Sequence, residues 1–404
     1  MNITKTLLQL NVCSNWGSTG RISEQIGTMA IQKGWESYIA YGRSRKESQL
    51  KPIKVGGKLD VYEHYAEHRF FDNEGLASRY ATRSLIKDIT KLKPDLIHLH
   101  NIHDHWLNYE LLFNFLAISN IPVIWTQHDC WSFTGGCNYY STRQCFKWIE
   151  GCEKCIYKKN GFLPLLDRSK VHFLKKKRLF NNVPGLTLVP VSHWLEGELR
   201  KSFLAGNQIR PIYNGIDVNS FKPTHSDIKE QYGVANKKML LAVATTWEER
   251  KGLKDYIKLS GILPKDAVLV LVGLDEKQQH SLPSNVVGIR RTHNIEELVK
   301  LYSSAEVVLN LSYEETFGLT TVEGFSCGTP GIVYNCTASP ELITFKTGYI
   351  VEPGDIRGVA DAVKMIFERG KSDFTEACRE HAVSNFDMQK RCKDYINLYE
   401  DLVR

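Results

Sequence analysis

Ser312-Tyr-Glu-Glu-Thr-Phe-Gly-Leu-Thr-Thr-Val-Glu-Gly-Phe-Ser-Cys-Gly-Thr-Pro330 follows an apolar run, Val307–Leu311, that reads as a strand buried on both faces. The chain then turns at Phe317-Gly318 and takes helical spacing over Thr320–Ser326. It stops at Cys327-Gly328 and passes through Pro330 into another strand. A helix beginning at the carboxyl edge of a sheet offers free amides and a positive dipole end to a phosphate. Glu315 lies on the loop before the helix and Glu323 one turn into it. Two carboxylates in one crevice can accept hydrogen bonds from several hydroxyls of a sugar or ribose. Taken by spacing alone, such a pair is more often two solvated surface charges.

The same strand–turn–helix unit recurs outward from this stretch. Met239–Ala244, Ala267–Gly273, Val286–Arg290 and Gly331–Tyr334 are further strand candidates in the second half. The first half repeats the pattern with Thr6–Val12, Tyr38–Tyr41, Asp95–His100, Pro122–His128, Leu186–Ser192 and Ile209–Tyr213. Helical stretches such as Ile22–Lys33 and Leu76–Lys91 lie between them. This alternation predicts the α/β class, with parallel sheets covered by helices on both faces. Its restart predicts two doubly wound domains, 1–213 and 214–385, joined at the turn-rich segment Tyr213–Pro223. The amphipathic helix expected within 386–404 has no strand after it and is expected to pack back on the first domain.

Composition agrees. A length of 404 residues suits two domains, and 42% hydrophobic with 24% charged residues excludes a disordered or fibrous chain. The longest apolar run, Ala267–Leu274, falls short of the roughly 20 residues a membrane span needs. Met1–Val12 lacks the pattern of a secretory signal, and ten cysteines are too sparse for a disulfide scaffold, so a cytoplasmic protein is expected. Residues 1–215 hold 29 Lys+Arg against 18 Asp+Glu, a net +11, and the remainder nets −4, which sums to +7. A basic half can face nucleic acid, a membrane or an acidic substrate, and the count does not choose.

Other residues carry candidate chemistry. Arg250 and Lys251 follow the first strand of the second half, where two cations could neutralise a leaving diphosphate. In the first half, Gly17 and Gly20 bracket a glycine loop after the first strand, without the spacing of a dinucleotide fingerprint. His100 and His128-Asp129 end strands at the edge where ligands bind, and His98 sits deeper on the same face as His100. His103 and Asp104, like His100, read equally as hydrogen-bonded loop residues. Cys137, Cys145, Cys152 and Cys155 could hold a structural zinc ion, form two disulfides or remain ordinary buried thiols. Arg168–Phe180 is a basic helix with apolar positions at Val171, Phe173, Leu174 and Leu179. It either docks on an anionic membrane leaflet or packs on its own sheet.

The order and spacing of these pieces resemble glycosyltransferase family 4 along essentially the whole chain. Glu315 and Glu323 match its E-x7-E motif, with Phe317-Gly318-Leu319 between them and Cys327-Gly-Thr-Pro330 after. Gly17–Gly20, Pro94–His100, Val191-Ser192, Asn214–Asp217 and Gly348–Gly354 match other segments in order. The resemblance implies a GT-B fold, two facing Rossmann-like domains with an interdomain cleft, and a retaining enzyme that moves a sugar from a nucleotide-sugar donor to an acceptor hydroxyl. It places Glu323 on the ribose, Glu315 and Lys251 by the donor sugar and leaving phosphate, and His128 near the sugar. The amides of Phe317, Gly318 and Leu319, with Gly17 and Gly20, fall on the donor side, and Asp129 and His100 on the acceptor side. Thr245-Thr246 stands where the family usually has Gly-Arg, which leaves Arg250 as a substitute cation. The acceptor implied is a saccharide or lipid-linked saccharide in surface polysaccharide or glycolipid synthesis, at the inner face of the cell membrane, with no nucleic acid as partner and no cofactor required for catalysis. A nucleotide-sugar epimerase and a non-catalytic sugar-nucleotide-binding subunit are the rival readings of the same architecture.

Overall fold

The computed structural model describes residues 4–156 and 164–403. The chain forms two compact units, 1–213 with 391–404, and 214–390. In the first, β1 (Thr6–Asn11), α1 (Gly17–Gln32), β2 (Glu36–Tyr41), β3 (Lys51–Lys54), α2 (Lys58–Phe71), α3 (Arg79–Leu92), β4 (Leu96–Leu99), α4 (Tyr109–Ser119) and β5 (Val123–Gln127) lead to a long loop. Then come α5 (Ser169–Phe180), β6 (Thr187–Pro190), α6 (His193–Lys201) and β7 (Gln208–Ile209). The second unit runs α7 (Ile228–Gln231), β8 (Lys238–Val243), α8 (Leu253–Ser260), β9 (Ala267–Val272), α9 (Glu276–His280), β10 (Val286–Ile289), α10 (Ile295–Ser304), β11 (Val307–Asn310), α11 (Leu319–Ser326), β12 (Gly331–Tyr334), β13 (Gly348–Val351), α12 (Ile356–Arg369) and α13 (Ser372–Asn385). The closing helix α14 (Met388–Leu402) starts in the second unit and ends in the first.

Both sheets are parallel. Their orders are β3-β2-β1-β4-β5-β6-β7 and β10-β9-β8-β11-β12-β13. Central strands are apolar along their whole length because helices cover both faces: Leu7, Leu8, Leu10, Ile97 and Leu99 in one sheet, and Leu240, Leu241, Leu269 and Leu271 in the other, are fully buried. Each such side chain contributes about 1.5–3 kcal/mol.

In each sheet the chain's direction of progress reverses between its first and fourth strands, β1 beside β4 and β8 beside β11. Crevices outside the carboxyl ends open at such switch points. The loops emerging there are 12–16 and 100–108 in the first unit and 244–252 and 311–318 in the second. These loops hold or adjoin most of the candidate residues. On α14, Tyr399 Oη lies 2.6 Å from His98 Nδ1 and Tyr395 Oη 3.1 Å from Thr126 Oγ1, which binds the helix to the first unit's sheet. No described helix is long and apolar enough to cross a membrane.

Candidate active site

In the second unit the site is assembled by a close approach of two loops. After β8 a single 3-10 turn, Glu249–Lys251, ends at Gly252 with φ +71°. A Cβ there would lie 2.3 Å from Leu311 O, so a glycine alone lets this turn rest on the end of β11. That approach delivers the Lys251 ammonium to the Glu315 carboxylate, which it hydrogen-bonds. Burial alone would raise the Glu315 carboxyl, but Lys251, with Arg250 and the Ser312 hydroxyl 3.1 Å away, brings it below the ordinary carboxylate range. Thr337 Oγ1 accepts from Glu315 N at 2.9 Å and fixes the loop backbone. Arg250 takes a different course from Lys251. Its Nε lies 3.1 Å from the exposed Glu248 carboxylate, and its Nη1 donates to Glu314 O at 3.2 Å.

Helix α11 begins at Leu319, one residue before the predicted start, with Gly318 at φ +103° as N-cap. A Cβ on Gly318 would come within 3.1 Å of Leu342 and 3.3 Å of Asn310. The Phe317 ring is buried against Phe386, at 5.7 Å between centroids, which leaves only its backbone at the start of the helix. Glu323, partly exposed, accepts a hydrogen bond from Tyr302 Oη at 2.8 Å. Burial and that carboxylate push the Tyr302 phenol well above its usual range, so it stays a donor. Sequence reading passed over Tyr302 because it lies on another helix, twenty-one residues upstream.

In the first unit α1 starts at Gly17, not near Arg21 as expected, so the glycine loop is the helix's own first turn. A Cβ on Gly20 would stand 3.2 Å from Cys13 O. Asn11, at the end of β1, donates to Cys13 O at 2.8 Å and accepts from Asn101 N at 3.2 Å, which joins the two switch-point loops.

The histidines form a buried chain. His98 is consumed between Thr126 and Tyr399, as its depth suggested. His100 Nε2 lies 2.9 Å from Gln9 Oε1, its Nδ1 lies 3.1 Å from His128 Nε2, and the His100 and His128 rings stack. Burial lowers both, His128 to about 4, so they are neutral at pH 7. Asp129 pairs with His103 Nε2 at 2.9 Å and accepts from Trp131 N. Burial would lower the His103 imidazole, but the Asp129 and Glu74 carboxylates raise it overall.

Behind this chain is a pair that the sequence did not announce. Glu74 accepts from Trp131 Nε1 at 2.8 Å, and the fully buried Lys176 donates to Trp131 O at 2.7 Å with its ammonium 3.4 Å from the centre of the Trp131 ring. Helix α5 therefore packs through Phe173, Lys176 and Leu179, whereas Val171 and Leu174, expected among its apolar positions, point outward. Cys137, Cys145, Cys152 and Cys155 are not joined in disulfides, and burial lifts Cys137 to about 12 and Cys152 to about 11. Among the described residues no group of three or more His, Cys, Asp or Glu is arranged to hold a metal ion.

Two doubly wound parallel sheets, one with an acidic–basic pair beside a helix N-terminus, define a glycosyltransferase of the GT-B class. Family models agree over most of the chain: Glycosyltransferase Family 4 matches residues 24–220 and Glycosyl transferases group 1 matches 237–369. The chain belongs to this glycosyltransferase family. It is 24% identical to the putative colanic acid biosynthesis glycosyl transferase WcaC of Escherichia coli (strain K12), over 98% of this chain and 100% of that one. It is 28% identical to the N-acetyl-alpha-D-glucosaminyl L-malate synthase of Bacillus anthracis, over 53% of this chain and 59% of that one. Solved structures of the same fold include sucrose-phosphate synthase from Thermosynechococcus elongatus, with TM-score 0.72, 18% identity, and 98% and 99% of the two chains covered. Anabaena HepE in complex with UDP superposes with TM-score 0.68 at 15% identity, over 99% of this chain and 100% of that one.

Proposed function

We propose that this glycosyltransferase moves a sugar, with retention of configuration, from a nucleoside diphosphate to a hydroxyl of a saccharide or lipid-linked saccharide in surface polysaccharide or glycolipid synthesis. The observation that carries the donor half is the grouping of Lys251, Glu315, the start of α11 and Glu323 around one switch point of the second unit. The likeness to WcaC, a putative colanic acid biosynthesis glycosyl transferase, and to HepE, solved in complex with UDP, supports the substrate classes.

Glu323, oriented by Tyr302, receives the ribose hydroxyls. The bond from the anomeric carbon to the phosphate oxygen breaks while a bond to the acceptor oxygen forms. Charge growing on the departing diphosphate is met by Lys251 and the amides at the start of α11, each such donor contributing on the order of 3 kcal/mol in a water-excluded site. The acceptor's proton passes to the leaving phosphate, so no side chain is assigned as general base. Glu315 holds Lys251 in place and lies beside the sugar. In this reading His128, neutral by burial, serves the sugar, and Asp129 and His100 serve the acceptor. Isothermal titration of UDP, GDP, ADP and dTDP tests the nucleotide assignment: one binds the protein, and Glu323→Gln weakens it at least about tenfold. Equal affinity in the variant rejects the ribose role.

A further inference from the structure

Of the eight tryptophans, six are buried and Trp194 is half-buried, whereas Trp16 is 44% exposed. It stands in the loop 12–16, which emerges from β1 at the first unit's switch point. The backbone around it is fixed. Asn15 (φ +48°) and Gly17 (φ +69°) are both left-handed, and Trp16 between them is extended, with φ −134° and ψ 138°. The loop rests on the first turn of α1, where a Cβ on Gly20 would lie 3.4 Å from Asn15 N. Sideways it is tied to the loop after β2. Ser14 N donates to Ser44 O at 3.0 Å, Lys46 N to Ser14 O at 3.0 Å, and Asn15 Nδ2 to Glu47 O at 2.6 Å. A Cβ on the neighbouring Gly17 would meet nothing within 4 Å, so space is open there.

The ring leans toward the β2 loop, with the Lys46 ammonium 4.8 Å from its centre. Arg45 is exposed and enters no ion pair among the described residues. Arg43 bridges to Asp104 at 2.8 Å, which ties this loop to 100–108 as well. In the sheet order β2-β1-β4-β5, three strand spacings, about 14 Å, separate the β2 loop from the end of β5 that carries His128.

We propose that Trp16 is the platform of a saccharide subsite, on which one sugar ring of the acceptor chain stacks while Arg45 and Lys46 meet a negative group on that chain. A pyranose turns a face of C–H bonds, with partial positive charge, to the negative face of an indole, and its hydroxyls stay at the rim. One exposed indole matches one sugar ring and falls far short of the roughly 20–30 residues a side that a stable protein interface uses. A carboxylate or phosphate on the saccharide takes charge-assisted hydrogen bonds from the guanidinium and the ammonium. The separation from His128 puts the stacked sugar within the acceptor chain and not at the reacting hydroxyl. The inference deepens the acceptor half of the proposed function and rests on that reading for the identity of the bound chain.

Saturation-transfer NMR of the whole protein without nucleotide tests it, with tetragalacturonate, uncharged cellotetraose, glucose 1-phosphate and glucose as probes. A charged probe shows transfer to its C–H protons, and Trp16→Ala weakens its binding at least about fivefold while Trp16→Tyr stays within about twofold. Arg45→Gln with Lys46→Gln abolishes the preference for charged over uncharged probes. Preference for tetragalacturonate over cellotetraose assigns the cations to a carboxylate, and preference for glucose 1-phosphate over glucose assigns them to a phosphate. Nucleotide affinity of the unaltered protein is measured on the same sample. Saccharide binding without nucleotide binding sinks the donor reading alone, and the reverse sinks this proposal alone. Undiminished binding by Trp16→Ala, a loss in Trp16→Tyr as complete as in Trp16→Ala, no charge preference, binding of none of the probes, or a dimer that Trp16→Ala dissociates overturns the proposal.

Discussion

Lys251 and Glu315 form a mostly buried ion pair, which makes their single and double substitutions informative. Removing the lysine alone leaves a buried carboxylate unpaired, at a cost of about 3–5 kcal/mol. Lys251→Met is therefore expected to lower both the melting temperature and turnover. Lys251→Met with Glu315→Gln regains most of the stability and none of the turnover; thermal unfolding and single-turnover assays on the same samples separate the two effects. Tyr302→Phe, which removes the hydroxyl 2.8 Å from Glu323, should raise the donor KM by about three- to tenfold with kcat nearly intact. The first unit predicts a pH dependence. His100 and His128 are held neutral by burial, with lowered folded pKa values, so their contribution to stability is present above about pH 6.5 and lost as pH falls below it, for His128 through about 4. His103, raised beside Asp129, has the opposite sign: its contribution is present at low pH and lost as pH rises through its elevated value. Melting curves from pH 8 to pH 4.5 should show an acid loss that His128→Gln reduces. Glu315, Glu323 and Lys251 could be picked out in the sequence because motif and strand end coincide there. Tyr302, Glu74 and Lys176 could not, since each earns its place only through a partner far away in the chain.

At the scale of elements, the apolar strands were readable wherever both faces are covered, as along β1, β4, β8 and β9. Of the edge strands, β7 and β10 were readable and β3 and β13 were not. The sequence of β3, Lys-Pro-Ile-Lys, is mostly exposed and has no apolar run, and the short β13 leaves the adjacent Tyr349 and Ile350 incompletely buried, so neither was predicted as a strand. Helix α2 also escaped notice, because its apolar side faces outward and its spacing says nothing about which way it turns. Gly252 offers a sharper test of how elements build the site. Gly252→Ala brings a methyl against Leu311 O, at 2.3 Å without adjustment, in a backbone conformation unfavourable for alanine. A loss of about 2–4 kcal/mol is expected, together with displacement of Lys251 from Glu315. Chemical denaturation gives the first, and loss of nucleotide affinity at temperatures where the variant remains folded gives the second.

For the whole molecule, the restart of the strand–helix pattern near the middle of the chain made the double α/β architecture legible before any coordinates. The particular sugar, linkage and acceptor are set by loop shapes that follow no spacing rule. The central claim is that the second unit takes a nucleotide-sugar through the grouping of Glu315, Lys251 and Glu323. Saturation-transfer NMR of the folded protein against UDP-, GDP-, ADP- and dTDP-sugars tests it most directly, with Glu323→Gln run alongside. One donor should show transfer to both its nucleotide and sugar protons, and the variant should lose it while keeping its fold. Transfer from no sugar nucleotide, or transfer undiminished in Glu323→Gln, would contradict the account.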